Sequence, residues 1–252
     1  MLKQRIIPSL LLKDGRMVKG KNFGSFRDVG DPVTAAKVYN AQKVDELMFL
    51  DIRPTAQSRE QVREIIQAAA CECFMPLTVG GGVRTVEDVR HLLTIGADKV
   101  AINSAAVRTP ELIRDAAELF GDQCVVVSVD YRLNKVGQRT VWIDSGTLDT
   151  GLDPLNHVKR CVALGAGEIL LTSIDQEGTL EGYDFDYLDE VARAVRAPLI
   201  ASGGAGRLED FYRALTTTKV SAVSAASIFH FTDQSPIKAR FFLSNSGVNV
   251  RV

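Results

Sequence analysis

The 252-residue sequence predicts a single (β/α)₈ barrel made of two repeated half-barrels, about residues 1–122 and 123–252. Three observations support this fold class. The length is typical of one such barrel, about 250 residues. Strand-length apolar runs alternate with amphipathic helical stretches from end to end, and the second half of the chain repeats the first. Eight alternations favour a closed barrel over two separate domains.

Eight apolar runs are predicted to form the barrel strands. They are nearly continuous rather than alternating, as expected for parallel strands that are buried on both faces. The predicted strands are 5–12, 46–52, 76–79, 99–103, 124–130, 168–173, 198–202 and 220–224. Helices are predicted between them, among them 86–96, 110–120, 186–195 and 208–215.

A shift of 122 residues overlays the two halves of the chain. A half-barrel would leave two open strand edges, so the closed pair is the expected unit. The matching segments are PLTVGGGVR at 76–84 with PLIASGGAG at 198–206, DELMFL at 45–50 with GEILLT at 167–172, and Glu87-Asp88 with Glu209-Asp210.

The composition is that of an ordinary globular protein. A net charge of −1 gives no overall field for nucleic acid or a membrane surface. No stretch approaches the ~18 apolar residues of a membrane span. Neither the cysteines nor the histidines show metal-ligand spacing, so we expect reduced thiols, a cytoplasmic location, no metal and no cofactor. These residues are Cys71, Cys73, Cys124, Cys161, His91, His157 and His230.

Glycine-rich turns follow the third and seventh predicted strands. Gly80-Gly81-Gly82 and Gly203-Gly204 each stand at the carboxyl end of a strand, just before a helix. Free backbone N–H groups there can hold a phosphate, and no Cβ blocks its approach. Small-residue turns at 103–105 and 225–227 follow strands four and eight. Two such sites at one mouth predict an elongated bisphosphate ligand; the alternative is that these are simply tight turns.

Acidic residues also stand at strand ends. The carboxyl ends of barrel strands surround the active site in this fold, so acids there are candidates for catalysis. Asp130 is the strongest candidate, because an apolar run leads into it and burial would raise its pKa; the alternative is a helix-capping or loop acid. The others are Asp51, Asp175 and Glu177. Lys19 in the first loop is predicted either to pair with a phosphate or to be an exposed loop lysine.

Four charged residues begin predicted strands at the opposite end of the barrel. They are two cations and two anions at one level, and buried charges must be paired. We therefore expect a salt-bridged ring that closes the barrel floor, with four unrelated surface charges as the alternative. The four residues are Arg5, Glu46, Lys99 and Glu168.

The sequence resembles the HisF family, the cyclase subunit of imidazole glycerol phosphate synthase, along essentially its whole length. Matching stretches include KDGRMVKGKNF, TVGGGVR, GADKVAIN, GAGEILLTSID, ASGGAG and GVNVR. The resemblance implies a lyase-type ring closure on a phosphoribosyl substrate held at two phosphate sites. It also implies a class I glutaminase (HisH-like) at the barrel floor, whose ammonia passes through the charged ring and along the barrel interior.

The resemblance implies roles for individual residues. Asp130 matches a catalytic aspartate, and Asp98 and Gln123 match floor residues at the glutaminase interface. The charged ring matches the ammonia gate. The implied substrate and phosphate contacts are Lys19, Gly81, Gly82, Asn103, Ser104, Thr172, Glu177, Gly178, Gly203, Gly204, Ala226 and Ser227.

One position departs from the family pattern. That family uses two acid–base aspartates, on strands one and five, and here the strand-one position is Leu11. A local alignment of the two halves gives the same match, because IIPSLLL at 6–12 set against VVVSVD at 125–130, an offset of 119, places Leu11 beside Asp130. Loss of one of two general acid–base groups typically costs ~10²–10⁴-fold in rate. Glu177 also stands where the family usually carries aspartate.

Leu11 leads to a main hypothesis and two alternatives. The main hypothesis is a paralogue of the glycosyl-amidation-associated type, in which glutaminase and barrel supply ammonia to a separate sugar amidotransferase for surface-sugar biosynthesis. The first alternative is the cyclase of histidine biosynthesis, weakened by Leu11, and the first loop is closer to this enzyme. The second alternative is a non-catalytic barrel that only activates a glutaminase.

Overall fold

Eight parallel strands close into a barrel in the computed structural model, which describes residues 3–251 apart from the side chains of 56–58. The described residues contain these eight barrel strands and four further strands. In chain order, the strands are β1 (Arg5–Lys13), β2 (Arg16–Lys21), β3 (Gly24–Gly30), β4 (Leu47–Asp51), β5 (Leu77–Gly80), β6 (Lys99–Ile102), β7 (Val125–Leu133), β8 (Arg139–Ile143), β9 (Leu148–Asp149), β10 (Glu168–Ser173), β11 (Leu199–Ser202) and β12 (Ala222–Ala225). The four further strands are β2, β3, β8 and β9. The helices are α1 (Pro32–Ala41), α2 (Ala56–Glu72), α3 (Val86–Thr94), α4 (Ser104–Arg108), α5 (Glu111–Phe120), α6 (Pro154–Ala163), α7 (Phe185–Ala194), α8 (Leu208–Thr217), α9 (Ser227–Phe231) and α10 (Pro236–Asn245).

The barrel strands follow one another in chain order around the barrel. They are β1, β4, β5, β6, β7, β10, β11 and β12, and each pairs in parallel with its neighbours. Pairing of β7 with β10 and of β12 with β1 completes the circle. The predicted (β/α)₈ barrel is confirmed.

The predicted boundaries are within two residues of the observed ones at every barrel strand except one. The exception is β7, which continues three residues past the predicted end at Asp130 to Leu133, because its outer part pairs with β8. The predicted strand 99–103 is one residue too long. Asn103 lies outside β6, at the N-cap position of the short helix α4, and its side chain makes no capping hydrogen bond.

Two antiparallel hairpins at the mouth were not predicted. β1 continues into β2 and β3, and β7 continues into β8 and β9. A sequence signal existed for the first hairpin, since Asp14 and Gly15 both have positive φ in the two-residue turn between β1 and β2. Asp-Gly is a preferred pair for such turns. The first loop is therefore a hairpin that starts directly from the first barrel strand.

The barrel interior contains a small apolar cluster between the floor and the mouth. Alternate residues of each strand point inward, and at mid-height these residues are apolar and at most 3% exposed. The cluster comprises Ile7, Met48, Ala101, Val126, Leu170, Ile200 and Ala222. Larger apolar clusters fill the space between the strands and the helices. The interior is thus packed, as is usual for this fold.

The repeat is visible in the helix caps. Asp31 caps α1 by accepting from the Thr34 backbone N–H at 2.7 Å, and Asp153 caps α6 through the Asn156 N–H at 2.8 Å. Both caps are followed by proline at the first helical position, which suits its fixed φ. The division into half-barrels at residues 122 and 123 stays a prediction.

Several general features of the described residues bear on function. No helix among them is long and apolar enough to cross a membrane. No group of three or more His, Cys, Asp or Glu side chains within residues 3–251 is placed to hold a metal ion. All four cysteines are free thiols.

The two matched caps give a stability prediction. Asp31→Ala and Asp153→Ala should each lower the free energy of unfolding by about 1 kcal/mol, because each leaves helix N–H groups without an acceptor. Urea unfolding of the purified variants measures this loss. Asp31→Asn and Asp153→Asn keep an acceptor and should cost little; equal losses for alanine and asparagine would contradict the capping role.

Candidate active site

A cavity of about 490 Å³ lies at the carboxyl ends of the barrel strands. Residues from both halves of the chain surround it. The predicted mouth residues that line it are Leu11, Lys19, Gly81, Gly82, Asn103, Ser104, Asp130, Thr172, Glu177, Gly178, Gly203, Gly204, Ala226 and Ser227. The structure thus brings these predicted residues together around one space, while their individual roles stay predictions.

The two glycine turns are held from behind by different donors. In the first half, the guanidinium of Arg59 donates to the carbonyl oxygen of Gly82 at 2.9 Å. In the second half, the backbone N–H of Gly182 donates to the equivalent carbonyl of Gly204, also at 2.9 Å. Both glycines have positive φ, at +69° and +113°. The turns are therefore fixed in shape, as a preorganised anion site requires.

The turns after β6 and β12 are also equivalent, with an offset of 123 rather than 122. Asn103 and Ala226 are the N-cap residues of α4 and α9, so Ser104 corresponds to Ser227. On the second side, the hydroxyls of Ser224 and Ser227 are buried, and neither has a hydrogen-bond partner among the described residues. Buried polar groups are normally paired, so these two hydroxyls fit a polar ligand in the cavity.

Asp130 lies on β7 with its side chain inside the mouth. It is 8% exposed, and the Asn103 amide donates to its Oδ2 at 3.0 Å. Burial raises the pKa of Asp130 to about 7, although hydrogen bonds from Ser128, Thr172 and Asn103 act in the opposite direction. A carboxyl group with such a pKa is present in both protonation states near neutral pH, which suits general acid–base catalysis.

Leu11 occupies the matching place on β1. It pairs in register with Leu50 on β4, just as Asp130 pairs with Thr172 on β10. Both leucines line the cavity. The first half of the mouth therefore presents an apolar wall where the second half presents an acid and a hydroxyl.

Lys19 is neither in a loop nor exposed. It lies on β2, is 2% exposed, and forms an ion pair with Glu177. Burial lowers the pKa of Lys19 to about 8. The expectation of an exposed loop lysine is wrong, because the hairpin folds over the mouth and carries Lys19 inward.

The hairpin is docked onto the loop that follows β10. The backbone N–H of Asn22 donates to the carbonyl of Glu177 at 2.8 Å. Gly178 has φ +74°, and a Cβ there would lie 2.3 Å from the Gly20 oxygen, so glycine permits the close approach. Asp175 in the same loop does not line the cavity. It pairs with Arg132 at 3.2 Å instead.

Sequence reasoning missed the charged rim of the first-half turn. Arg84 and Arg108 line the cavity there, and Arg108 binds Asp144 through both of its terminal nitrogens. The backbone N–H of Asp144 donates to the Ser104 hydroxyl at 3.0 Å, so the β8–β9 hairpin is tied to this turn. Arg84 directly follows GGGV in the sequence, which was the available signal.

The floor charges form a closed ring of ion pairs. Glu46 accepts from Arg5 at 2.7 Å and from Lys99 at 2.8 Å. Glu168 accepts from Lys99 at 2.9 Å and also pairs with Arg5. Burial raises the pKa of Glu168, but the hydrogen bonds and charges of Arg5 and Lys99 outweigh it, and the net pKa is lowered. The ring lies directly below the interior apolar cluster.

The predicted interface residues lie on the same end of the barrel. Asp98 and Gln123 are exposed; Asp98 immediately precedes β6, and Gln123 lies two residues before β7. Asp98 also accepts from the Leu77 backbone N–H at 2.8 Å. Phe74, just before β5, is 92% exposed. The floor therefore combines an apolar side chain with polar ones around the charged ring.

Comparison with known proteins identifies the family. A family model described as "Histidine biosynthesis protein" matches residues 5–235. The chain belongs to this family. The imidazole glycerol phosphate synthase subunit HisF of Hydrogenobaculum sp. (strain Y04AAS1) is 49% identical over 252 residues, covering 100% of both chains. The same subunit of Streptococcus mutans serotype c (strain ATCC 700610 / UA159) is 48% identical over 251 residues, again covering 100% of both.

The HisF resemblance is thereby confirmed. Both relatives are named as HisF subunits of imidazole glycerol phosphate synthase and match over their full length, and the family model is described as a histidine biosynthesis protein. The comparisons therefore favour the first alternative, the cyclase of histidine biosynthesis, over the sugar-amidation paralogue that Leu11 had suggested.

The ring of ion pairs at the floor gives a second stability prediction. Glu46→Gln should lower the free energy of unfolding by about 3 kcal/mol, because Arg5 and Lys99 keep a single carboxylate between them. The control is Glu60→Gln, which breaks an exposed ion pair with Arg63 and should cost under about 1 kcal/mol. Similar losses for the two variants in urea unfolding would show that the ring contributes no more than a surface pair.

The raised pKa of Asp130 gives a third prediction. The folded protein binds this proton more tightly than the unfolded chain, so stability from this group is fully present below pH 4 and falls as pH rises to about 7. Asp130→Asn removes the free-energy cost of ionising a buried carboxyl group. The melting temperature of the variant should therefore gain on that of the native protein between pH 4 and 7 and then level off. A gap that is constant with pH would contradict the assignment.

Proposed function

We propose that this chain is the cyclase subunit of an imidazole glycerol phosphate synthase. In this proposal it closes a ring on a phosphoribulosyl substrate with ammonia from a glutaminase partner. One observation carries the proposal: a buried carboxyl group with a pKa of about 7 lies in the cavity whose rim holds both anion-type turns. Full-length identity of 49% and 48% to two HisF subunits supports it.

The substrate would be bound at its two phosphate ends. One end would lie at Gly82 and Ser104, and the other at Gly204 and Ser227. The unpartnered Ser227 hydroxyl would donate to a phosphate oxygen, and the fixed glycine turns would offer backbone N–H groups. Binding at both ends would hold the middle of the substrate against Asp130, which is the positioning that ring closure requires.

Asp130 would exchange protons with the reacting atoms. Its carboxyl group gives a proton to a departing oxygen when protonated and takes one from nitrogen when ionised. Asn103 fixes the orientation of the group at 3.0 Å. A pKa of about 7 keeps both forms available at neutral pH.

Ammonia would enter from the floor. The relatives are named as subunits of a synthase, which supports a partner protein. We place a HisH-like glutaminase against Phe74, Asp98 and Gln123, because these exposed residues lie around the charged ring. Ammonia would then pass the ring formed by Glu46, Glu168 and their cations and cross the apolar interior to the mouth, away from bulk water.

A second candidate function is favoured by Leu11. In this proposal the chain is a paralogue that delivers ammonia to a separate sugar amidotransferase and does not close the ring itself. The apolar wall of Leu11 and Leu50 supports it, since one acid–base position is lost. This candidate predicts partner binding and ammonia delivery but no imidazole product.

The two candidates are separated by turnover of the purified chain with ammonium chloride and the phosphoribulosyl substrate. A cyclase forms the imidazole product, which liquid chromatography with mass spectrometry detects. Asp130→Asn should lower kcat by about 10²–10⁴-fold, because it removes proton exchange but keeps the shape of the side chain.

The control is Asp186→Asn, which changes an exposed aspartate outside the cavity and should leave kcat within twofold. If the native chain forms no imidazole product, the cyclase proposal is wrong and the ammonia-delivery candidate takes its place. If Asp130→Asn retains full turnover, the catalytic assignment of Asp130 is wrong.

A further inference from the structure

Among the described residues, four carboxylates line the cavity: Asp51, Asp130, Asp144 and Glu177. Ring closure by ammonia needs two groups that exchange protons, one at the attacking nitrogen and one at the departing oxygen. Asp130 is one of them. Leu11 removes the second from its expected place, so the remaining three carboxylates are the candidates to replace it.

Two of these three are committed to other partners. Asp144 is held by both terminal nitrogens of Arg108, and this pairing lowers its pKa. Because arginine stays charged in proteins, that pair has no proton to exchange near neutral pH. Asp51 is buried beneath the Gly81 turn and accepts from the backbone N–H of Arg53 at 2.9 Å. Both carboxylates are therefore parts of the wall.

Glu177 differs from both in its partner and its place. Its partner is Lys19, a nearly fully buried side chain on the hairpin that continues from the strand of Leu11. Backbone contacts of Asn22 and Gly20 with residues 177 and 178 hold the hairpin and the β10 loop together. Glu177 is thereby held over the mouth by the hairpin that starts from β1, the strand that carries Leu11 in place of an acid.

We propose that Glu177 supplies the second acid–base group of this mouth, in place of the carboxylate that position 11 lacks. Glutamate is one methylene longer than aspartate, which extends its reach from the loop into the cavity. Lys19 is the positioning residue, since its ion pair with Glu177 holds the carboxyl group at the cavity. The inference rests on the proposed cyclisation and assigns the group that completes it.

The proton balance closes with these two groups. Condensation of ammonia with a carbonyl replaces the C=O double bond with a C=N double bond and releases water, so oxygen gains two protons that nitrogen loses. In each transfer the Glu177 carboxylate takes a proton from nitrogen and protonated Asp130 gives one to oxygen. Solvent water then returns the proton from Glu177 to Asp130. Two carboxyl groups in different environments thus divide the acid and base roles.

The test is a double-mutant cycle on kcat, with ammonium chloride and the phosphoribulosyl substrate. In the native background, Glu177→Gln should lower kcat at least 100-fold with little change in KM. In the Leu11→Asp background, the same substitution should cost less than tenfold, because position 11 again supplies a carboxylate. Glu181→Gln, an exposed glutamate in the same loop, is the matched control and should cost less than twofold in both backgrounds.

A second arm keeps the test decisive if Leu11→Asp does not fold. Glu177→Ala should be rescued at least tenfold by sodium formate, which replaces the carboxylate but repairs no structural contact. Equal losses in both backgrounds, a loss confined to KM, or absence of formate rescue would overturn the role of Glu177 while the cyclase proposal stands. Absence of turnover in the native chain would overturn the cyclase proposal itself and this inference with it.

Discussion

Closure of the parallel sheet is the constraint on which the rest of the molecule depends. A parallel strand edge left open exposes unpaired backbone groups, and pairing of β7 with β10 and of β12 with β1 removes the last edges. Closure also brings all strand ends to two small surfaces. Residues as distant in sequence as 11, 130 and 204 therefore meet at one mouth, and residues 5, 46, 99 and 168 meet at one floor. The chemistry of each end follows from which charges closure buries there.

The two ends use buried charge in opposite ways. At the floor every carboxylate of the ring has two cations, so Glu168 is held ionised in spite of its burial. At the mouth Asp130 has hydrogen-bond donors but pairs with no cation among the described side chains, and its pKa rises to about 7. Both carboxyl groups are desolvated, and the presence or absence of a cation partner decides whether the pKa is lowered or raised. The floor therefore keeps an ionised carboxylate, whereas the mouth holds an acid that titrates near neutral pH.

The fold and the membership of the mouth could be predicted from sequence because both depend on periodic patterns. Apolar runs, glycine turns and the repeat locate strand ends, and strand ends define the mouth. The features that the sequence did not reveal depend on how far side chains extend and on segments outside the periodic strand–helix pattern. The hairpin that buries Lys19, the arginines at 84 and 108, and the separation of Asp175 from Glu177 all arise where the chain leaves the barrel. The strand register of one half therefore predicts that of the other half, whereas the contacts between loops of one half do not predict those of the other.

The two halves of the mouth differ at the positions that the repeat pairs. The repeat places an acid and a hydroxyl, Asp130 and Thr172, on one side, and Leu11 with Leu50 on the other. A symmetric mouth would treat its two acids alike, but a cyclisation needs one donor and one acceptor, so the second acid need not stand on β1. It needs to face the same cavity and to be held in position there. The Lys19–Glu177 pair meets both conditions because the hairpin extends β1 across the mouth. In the proposed role of Glu177, the function of a barrel position moves to a neighbouring loop while the barrel itself is unchanged.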